Sequence, residues 1–270
     1  MMLGKSPSAL RSFGRKLRLP VIVLTVFAAT PRANVPLTST AEAAPLPAAA
    51  PMAVPAVQKT MPAMVRDVQG LSPQVLAMAL DAVSCARARG IEGKDNLLTV
   101  IDYSLPSTEP RLWVLDLENG RVLFHELVAH GQGTGEKYAT RFSNVKDSKQ
   151  TSLGLFLTGG TYEGGNGYSL KLKGLDSGVN DRAEERNIVI HGAWYVSAEH
   201  ARQQGRLGRS WGCPALSQAS ARTVIDTIKG GSFVFSYAGE KTWLKTASSS
   251  TSACGVHPGG GPLVNAEAAK

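Results

Sequence analysis

The most regular hydrophobic pattern in the chain predicts an amphipathic helix over residues 72–90. Apolar side chains recur from Val75 to Ala86 at the three- and four-residue spacing that lines one face of a helix. Ser72 followed by Pro73 is a helix start, because proline suits the first helical position, and Gly90 marks the end. We therefore expect this helix to bury one face against the rest of the domain.

A second helix is predicted towards the end of the apolar part of the chain. Ser217 is a favourable N-cap, and the apolar residues from Ala221 to Ile228 keep helical spacing up to the two glycines at 230–231. The residues between the two predicted helices have short apolar runs instead of this helical spacing.

Short apolar runs bounded by turn residues predict a β-sheet between the helices. The first three runs occupy residues 97–103, 111–117 and 121–129. Asn119 and Gly120 join the second run to the third and form the strongest short hairpin signal, so these strands are expected to be antiparallel. The alternation of apolar and polar side chains breaks near His125 and Glu126, where we expect a β-bulge.

Further apolar runs extend the predicted sheet. Strands are expected at residues 153–157, 168–172, 187–190 and 232–237. The glycine-rich residues 159–167 are interpreted as the connection of a second hairpin, between the strands at 153–157 and 168–172, and as a candidate lid. The charged residues 180–186 are interpreted as a solvated loop. The pattern predicts a mainly β fold with a few helices, of the α+β class, built on a mixed or antiparallel sheet.

The N-terminal part of the chain has the pattern of an export signal followed by a tether. Five basic residues precede residue 19 and an apolar run follows at residues 21–29, as in a secretory signal peptide. Small residues allow cleavage near residue 33 or near residue 43. Seven prolines between residues 30 and 64 predict an extended linker that cannot fold. The predicted organisation is a signal peptide at 1–43, a linker at 44–64, one folded domain at 65–245 and a flexible tail at 246–270.

The charge of the chain is concentrated in its export signal. Six Lys or Arg and one Glu in residues 1–43 account for five of the eight net positive charges, which leaves three for the mature chain. No later block of basic residues is interleaved with aromatic ones, so nucleic-acid binding is not expected. The apolar run of the signal is shorter than the roughly 20 residues that cross a bilayer, so no permanent membrane anchor is expected.

The three cysteines are Cys85, Cys213 and Cys254, so at least one thiol of an exported chain stays unpaired. Cys85 lies on the predicted helix and is interpreted as a small buried side chain. A disulfide between Cys85 and Cys254 is the alternative, and it would leave Cys213 free. Cys254 and His257 have metal-ligand spacing, but two ligands in a flexible tail do not predict a metal site.

A glycine-rich stretch at residues 129–135 contains His130. It lacks the G-x-x-x-x-G-K-S/T spacing of a phosphate-binding loop, so nucleotide binding is not expected. A histidine at a strand end beside glycine either lines a site or is structural, and both interpretations of His130 stay open.

The strongest candidate chemistry is a histidine at a strand end and a cysteine in a tight turn 22 residues later. A thiolate is the nucleophilic form of cysteine, and at neutral pH it needs a cationic neighbour, a helix N-terminus or an adjacent base. Cys213 is therefore the candidate nucleophile and His191 the candidate base. Gly192 removes side-chain bulk beside the histidine.

The turn before Cys213 is predicted to support a developing negative charge. Gly212 allows the backbone to approach a substrate closely, and the N–H groups of Gly212 and Cys213 are candidate oxyanion donors. Ser210 and Trp211 complete this loop. Pro214 keeps Cys213 out of the helical region.

Two segments, IHGAWY at residues 190–195 and GRLGRSWGCPAL at residues 205–216, resemble the signature of L,D-transpeptidases. That signature has a histidine-glycine pair at a strand end and a Ser-x-Gly-Cys loop downstream. The order of predicted elements over residues 97–237 also resembles this catalytic domain, in a divergent branch. The resemblance implies the sheet sandwich of the family and a catalytic site formed by Cys213 and His191.

The chain departs from the commoner branch of this family at two positions. Trp211 stands where that branch has histidine or arginine, and Ala215 stands where it has arginine. Arg206 and Arg209 are candidates for the missing charge, and Trp211 is a candidate for a flat apolar wall. Further candidate substrate-binding residues are His130, Trp194 and Tyr168.

The resemblance implies an exported enzyme of the bacterial periplasm or cell envelope that acts on peptidoglycan stem peptides and needs no metal or organic cofactor. Cys213, activated by His191, would attack the third residue of a tetrapeptide stem, release the terminal D-alanine and pass the acyl group to an amine. Carbapenem-type β-lactams would acylate Cys213. The alternatives are an L,D-carboxypeptidase or endopeptidase with the same site, and a non-catalytic cell-wall-binding domain.

Overall fold

The computed structural model describes residues 68–240 of the chain. The signal peptide, linker and tail predicted from the sequence lie outside these residues, as do Cys254 and His257. Within the described part, no helix has the length and apolar character that crossing a membrane requires.

Helix α1 spans Pro73–Ala88, as its apolar spacing predicts. Ser72 occupies the N-cap position, although its hydroxyl donates to the Gln74 side chain at 2.7 Å rather than to the helix. Gly90 follows the helix with a φ of 79°, a left-handed conformation that glycine adopts without strain. The buried face of α1 consists of Val75, Leu76, Ala79, Val83, Cys85 and Ala86.

Eight strands form one continuous mixed sheet, in the order β3-β2-β1-β8-β4-β5-β6-β7. They are β1 (Leu97–Asp102), β2 (Leu112–Asp116), β3 (Arg121–Glu126), β4 (Gly154–Gly164), β5 (Gly167–Gly174), β6 (Val189–Ala193), β7 (Ala215–Ser217) and β8 (Phe233–Tyr237). The pairs β1–β8 and β6–β7 are parallel, and the other neighbours are antiparallel. This arrangement confirms the predicted α+β class with a mixed sheet.

The first hairpin contains the predicted β-bulge, which lies at Leu123, two residues before His125. Val114 pairs with Phe124 and Leu115 pairs with Val122, which leaves Leu123 as the extra residue. The imidazole of His125 stacks on Trp113 at 4.7 Å between ring centroids, and this contact keeps His125 in register. A local break in alternation indicated a bulge, but cross-strand packing decided its position.

The predicted hairpin between the strands at 153–157 and 168–172 is confirmed as β4–β5, but its strands extend into the glycine-rich residues 159–167 that were expected to connect them. A register shift between Thr158 and Thr161 accommodates Gly159 and Gly160 inside β4. The Gly159 carbonyl accepts from the Gly230 N–H at 3.0 Å. Backbone hydrogen bonds of this kind need no side chain, which is why the apolar pattern did not reveal this part of the strand.

Two short helices complete the described fold. Helix α3 spans Gln218–Ile228, and its predicted N-cap Ser217 accepts from the Ser220 N–H at 3.1 Å. Helix α2 spans Ala198–Gln204 and was not predicted, because none of its residues is buried and it therefore has no apolar stripe. Its N-cap is Ser197, which accepts from the His200 N–H at 3.1 Å.

Candidate active site

The parallel pairing of β6 with β7 brings the histidine and cysteine segments together. His191 pairs with Ala215, and the His191 N–H donates to the Pro214 carbonyl at 3.4 Å. Cys213 precedes Ala215 by two residues on the neighbouring chain segment. With a strand spacing of about 4.8 Å and a rise of about 3.3 Å per residue, the two Cα atoms lie on the order of 8 Å apart. Side chains at this separation can approach each other.

Ser210 holds the loop before Cys213 with its hydroxyl group. The Ser210 Oγ donates to the Cys213 carbonyl at 2.6 Å and accepts from the Gly212 N–H at 3.1 Å. The Gly212 N–H is therefore used within the loop, whereas the Cys213 N–H has no acceptor among residues 68–240. Of the two N–H groups expected at an oxyanion, the one on Cys213 is available to a ligand.

Residues 129–133 run along the other side of this loop. Ala129 and Ala215 exchange backbone hydrogen bonds of 2.8 and 3.4 Å. The Ser210 N–H donates to the His130 carbonyl at 3.0 Å, and the Gln132 N–H donates to the Ser210 carbonyl at 2.8 Å. The glycine-rich stretch around His130 thus supports the cysteine loop through its backbone.

Gly131 touches Gly212 where these two segments meet. A Cβ on Gly131 would lie 2.3 Å from the Lys149 carbonyl oxygen and 2.8 Å from the Gly212 Cα. We expect Gly131→Ala to displace the cysteine loop, to reduce acylation by at least about tenfold and to lower Tm by several degrees.

The control is Gly165→Ala, because a Cβ on Gly165 meets nothing within 4 Å. Acylation rate and thermal unfolding are measured for both variants. Equal behaviour of Gly131→Ala and Gly165→Ala would show that the contact does not constrain the loop.

Cys213 is the free cysteine of the described part of the chain, and the residue is buried, with 8% of its surface exposed. The Sγ donates to the Asn187 carbonyl at 3.7 Å. Burial raises the pKa of the thiol, and this effect outweighs the lowering by the Val189 N–H and by Arg186. Because the resting thiol is protonated at neutral pH, it needs a base to become a nucleophile.

Cys85 is buried, as the helix pattern predicts, but it is also disulfide-bonded. The interpretation as a simple buried thiol is therefore wrong, and the disulfide alternative is supported for Cys85. Its partner lies outside the described residues. No group of three or more His, Cys, Asp or Glu side chains suited to a metal ion occurs within residues 68–240.

His191 is neutral and has a defined tautomer. Its Nδ1 lies 3.0 Å from the Gly192 carbonyl oxygen, which can only accept, so Nδ1 carries the proton and Nε2 is free of one. Burial lowers the pKa of His191 below its usual value of 6.5, and the bond to Gly192 opposes this in part. At neutral pH, Nε2 can therefore accept a proton.

His130 is held by Arg111 rather than exposed to a cleft. The Arg111 Nη2 donates to the His130 Nδ1 at 2.8 Å, and the His130 Nε2 faces the Gly135 carbonyl at 3.3 Å. Burial and the positive charge of Arg111 lower the pKa of His130 to about 4. Both ring nitrogens are occupied, which favours the structural interpretation, and a role in substrate binding stays a prediction.

Arg206 and Arg209 both pair with Glu136. The Arg206 Nε lies 2.8 Å and the Arg209 Nη1 2.6 Å from the two carboxylate oxygens of Glu136. Arg209 also donates to the Gly135 carbonyl at 3.1 Å. The Glu136 carboxylate offsets part of their charge, and their role as substrate anchors stays a prediction.

Two tryptophans are exposed around the site. Trp211, two residues before the thiol, is 74% exposed, and the Lys149 ammonium lies 5.0 Å from its ring centroid. Trp194 is 71% exposed and makes edge contacts with Tyr195 and His200. Exposed indole rings of this kind offer flat surfaces to a ligand.

Tyr168 lines a cleft of about 220 Å³ beside Gly192. The Tyr168 hydroxyl donates to Asp226 at 2.7 Å, and the Arg222 guanidinium lies 4.1 Å from the ring centroid. The cleft is lined by Asn166, Gly167, Tyr168, Gly192, Gln218, Ala221 and Arg222. Because neighbouring residues of a strand point to opposite faces, the cleft beside Gly192 lies on the α3 face of the sheet and not on the face of the His191 side chain. A role of Tyr168 in substrate binding stays a prediction.

Residues 180–186 form a loop whose charged residues Asp181, Arg182, Glu184 and Glu185 are exposed, as predicted, whereas Asn180 and Arg186 depart from that prediction. Asn180 is fully buried, and its Nδ2 donates to the Leu153 and Leu155 carbonyls at 2.9 Å each. Arg186 is half-buried against residues 143–152 and beside Gly212. No local pattern reveals this, because its contacts are made by residues 34 to 43 positions away.

Several solved L,D-transpeptidases are distantly similar to this chain. The enzyme from Mycobacterium smegmatis is 17% identical, with 53% of this chain and 59% of that chain covered and a TM-score of 0.32. An L,D-transpeptidase in complex with imipenem is 18% identical, with the same coverage and TM-score. The enzyme from Stackebrandtia nassauensis is 14% identical, with 61% of this chain and 68% of that chain covered and a TM-score of 0.34.

No curated protein sequence matches this chain. The family model of the L,D-transpeptidase catalytic domain matches residues 67–237, which include all eight strands, His191 and Cys213. This match covers more than half of the chain and the whole of the sheet. The chain therefore belongs to the family of L,D-transpeptidase catalytic domains.

Proposed function

We propose that this protein is an exported, cysteine-dependent acyl transferase, an L,D-transpeptidase that acts on peptidoglycan stem peptides. The observation that carries the proposal is the parallel pairing of β6 with β7, which makes His191 and Cys213 neighbours within the region matched by the family. A buried thiol two residues before the strand that pairs with β6, which carries a histidine with an unprotonated nitrogen, supports nucleophilic acyl transfer.

The first half-reaction begins with a proton transfer. The Nε2 of His191 takes the proton of the Cys213 thiol, and the thiolate attacks the carbonyl carbon of the third residue of a tetrapeptide stem. The Cys213 N–H stabilises the oxyanion that develops. The amide C–N bond then breaks, His191 returns the proton to the leaving nitrogen, and D-alanine departs from a thioester on Cys213.

The second half-reaction reverses the chemistry with a different partner. An amine of a neighbouring stem gives up a proton to His191 and attacks the thioester carbon. The C–S bond breaks, the new amide forms a cross-link, and the thiolate regains its proton from His191. If water replaces the amine, the same site acts as an L,D-carboxypeptidase or endopeptidase.

The exposed surface around the thiol supports an extended substrate. Trp211 and Trp194 provide flat apolar faces. Family membership supports carbapenems as covalent inhibitors at Cys213. Export to the periplasm or cell envelope is supported by the signal-peptide pattern of residues 1–43. N-terminal sequencing of the exported protein would show whether cleavage occurs near residue 33 or near residue 43.

The proposal is tested by incubating the purified protein with a disaccharide-tetrapeptide and weighing the products. A dimer that lacks one alanine is the expected product of transfer. A tripeptide alone identifies the hydrolase. Unchanged substrate, with binding to intact wall material retained, identifies a non-catalytic wall-binding domain and overturns the proposal.

A further inference from the structure

Arg186 is held against residues 143–152 by hydrogen bonds to neutral acceptors. Its Nη1 donates to the Ser143 carbonyl at 2.6 Å and to the Ser152 hydroxyl. Its Nη2 donates to the Gln150 carbonyl at 2.6 Å and to the Ser148 hydroxyl at 3.3 Å. The guanidinium therefore has a fixed position.

The positive charge of Arg186 is not neutralised by a carboxylate. All four acceptors are carbonyl or hydroxyl oxygens, and no ion pair of Arg186 occurs within residues 68–240. Its Nε is buried without a hydrogen-bond partner in this part of the chain. Arginine stays charged at any pH at which the protein is folded, so the full charge acts on its surroundings.

This charge lies beside the cysteine loop. A Cβ on Gly212, the residue before the nucleophile, would lie 3.5 Å from the Arg186 Nη2 and 2.9 Å from the Gln150 carbonyl oxygen. On the other side, the Cys213 Sγ donates to the carbonyl of Asn187, the residue that follows Arg186. Arg186 and the residue whose carbonyl accepts from the Cys213 thiol are thus neighbours in the chain.

The backbone around Arg186 is strained. Asp147, Lys149 and Asn187 are the non-glycine residues of the described chain with positive φ, at 60°, 55° and 53°. The first two lie in the segment that Arg186 binds, and the third follows Arg186 directly. Left-handed conformations of non-glycine residues cost free energy and persist where surrounding contacts enforce them, which is common at functional sites.

We propose that Arg186 is a positioning residue that holds the loop of Cys213 and keeps an uncompensated positive charge beside its sulfur, so that the thiolate is stabilised as it forms. The proposal rests on the proposed role of Cys213 as the nucleophile. The charge acts in the expected direction, because Arg186 lowers the pKa of Cys213 against the larger raising effect of burial. Ala215, buried two residues after the cysteine, supplies no such charge.

Other titratable groups near the sulfur do not supply this cation. Tyr103 and Tyr195 interact with Cys213, but burial raises the pKa of Tyr103 strongly and that of Tyr195 to about 12, so both are neutral during catalysis. His191 is neutral at rest because burial lowers its pKa. Arg186 is the charged group whose interaction with the Cys213 thiol favours the thiolate.

The test measures the rate at which iodoacetamide alkylates Cys213 in the full-length protein as a function of pH, with the modified peptide identified by mass. For Arg186→Gln, we expect the pH midpoint of alkylation to rise by about one pH unit or more. Arg186→Lys keeps the charge but loses the planar fork, and its midpoint is expected to stay close to that of the wild type. Arg182→Gln is the control, because Arg182 is exposed and pairs with Glu185.

An unchanged midpoint in Arg186→Gln, or equal shifts in Arg186→Gln and Arg186→Lys, would overturn the proposal and leave Arg186 a purely structural clamp. If Arg186→Gln does not fold, Arg186→Met is the second neutral variant. If neither neutral variant folds, the lysine variant decides, and a rise of one pH unit there contradicts the charge effect. Alkylation needs no substrate, so this result is separate from whether the protein is a transpeptidase.

Discussion

Replacement of Cys213 by alanine is expected to abolish covalent labelling by a carbapenem and to reduce transpeptidation by at least about 10³-fold. The reason is that the sulfur forms the bond to the acyl group, and no other thiol of the described chain is free. The fold should survive, because the hydrogen bond of the thiol to the Asn187 carbonyl is a long one, of 3.7 Å. Deleting it should cost about 1 kcal/mol of stability.

The measurement is intact-protein mass after incubation with imipenem, together with thermal unfolding of each variant. Cys213→Ser is the matched control, since it replaces the thiol by a hydroxyl of similar shape. The hydroxyl is a much weaker nucleophile. This variant should fold and show no adduct within the time that saturates the wild type. An adduct of unchanged mass and rate in Cys213→Ala would refute the assignment of the nucleophile, and with it the proposed function.

Replacement of His191 by glutamine is expected to slow acylation by about 10²–10⁴-fold at neutral pH, the range for loss of a general base. The resting thiol of Cys213 is protonated because burial raises its pKa. Without an adjacent acceptor, it must ionise on its own before it can attack. Glutamine fills similar space, so the buried position of His191 is not left empty.

The pH profile separates the role of His191 from a structural one. Burial lowers the pKa of His191, so the wild-type acid limb should have its midpoint below 6.5, with activity lost as pH falls and Nε2 takes up a proton. In His191→Gln this limb should disappear, and the residual rate should rise with pH as the thiol ionises. A variant that kept the wild-type acid limb would transfer the base role to another group.

His130 is the first alternative base to consider in that event. Its Nδ1 accepts from Arg111 and its Nε2 faces the Gly135 carbonyl, so neither nitrogen is free. With His130 as the base, the acid limb would have its midpoint at about 4, the pKa to which burial and Arg111 lower this group. An acid limb at that pH in His191→Gln would assign the base role to His130.

Local patterns predicted the elements whose side chains sort into a buried and an exposed face. Helix α3 was predicted because Ala221 and Val224 recur at helical spacing after a serine cap. The hairpin of β2 and β3 was predicted from Asn119 and Gly120. Helix α2 and the glycine-rich part of β4 were missed because they bury few or no side chains and so leave no periodic signal.

The chemistry of the site was predicted more fully than its geometry. His191 and Cys213 were identified by residue type and by their family resemblance, 22 positions apart. The use of the Gly212 N–H inside the loop and the occupied ring of His130 depend on contacts between segments distant in sequence. Such contacts follow from folding, and residue types along the chain do not specify them.

The sequence alone predicted the family, the α+β class and the roles of Cys213 as nucleophile and His191 as base. These predictions depend on local spacing, on motif resemblance and on the reactivity of single side chains. The position of Arg186 came from the tertiary structure. Its charge is predicted to be solvated from the sequence, yet folding carries it to the carbonyls of Ser143 and Gln150, with no carboxylate partner among residues 68–240. Whether a charge faces water or a buried thiol depends on which distant segments pack around it, and only the folded chain decides that.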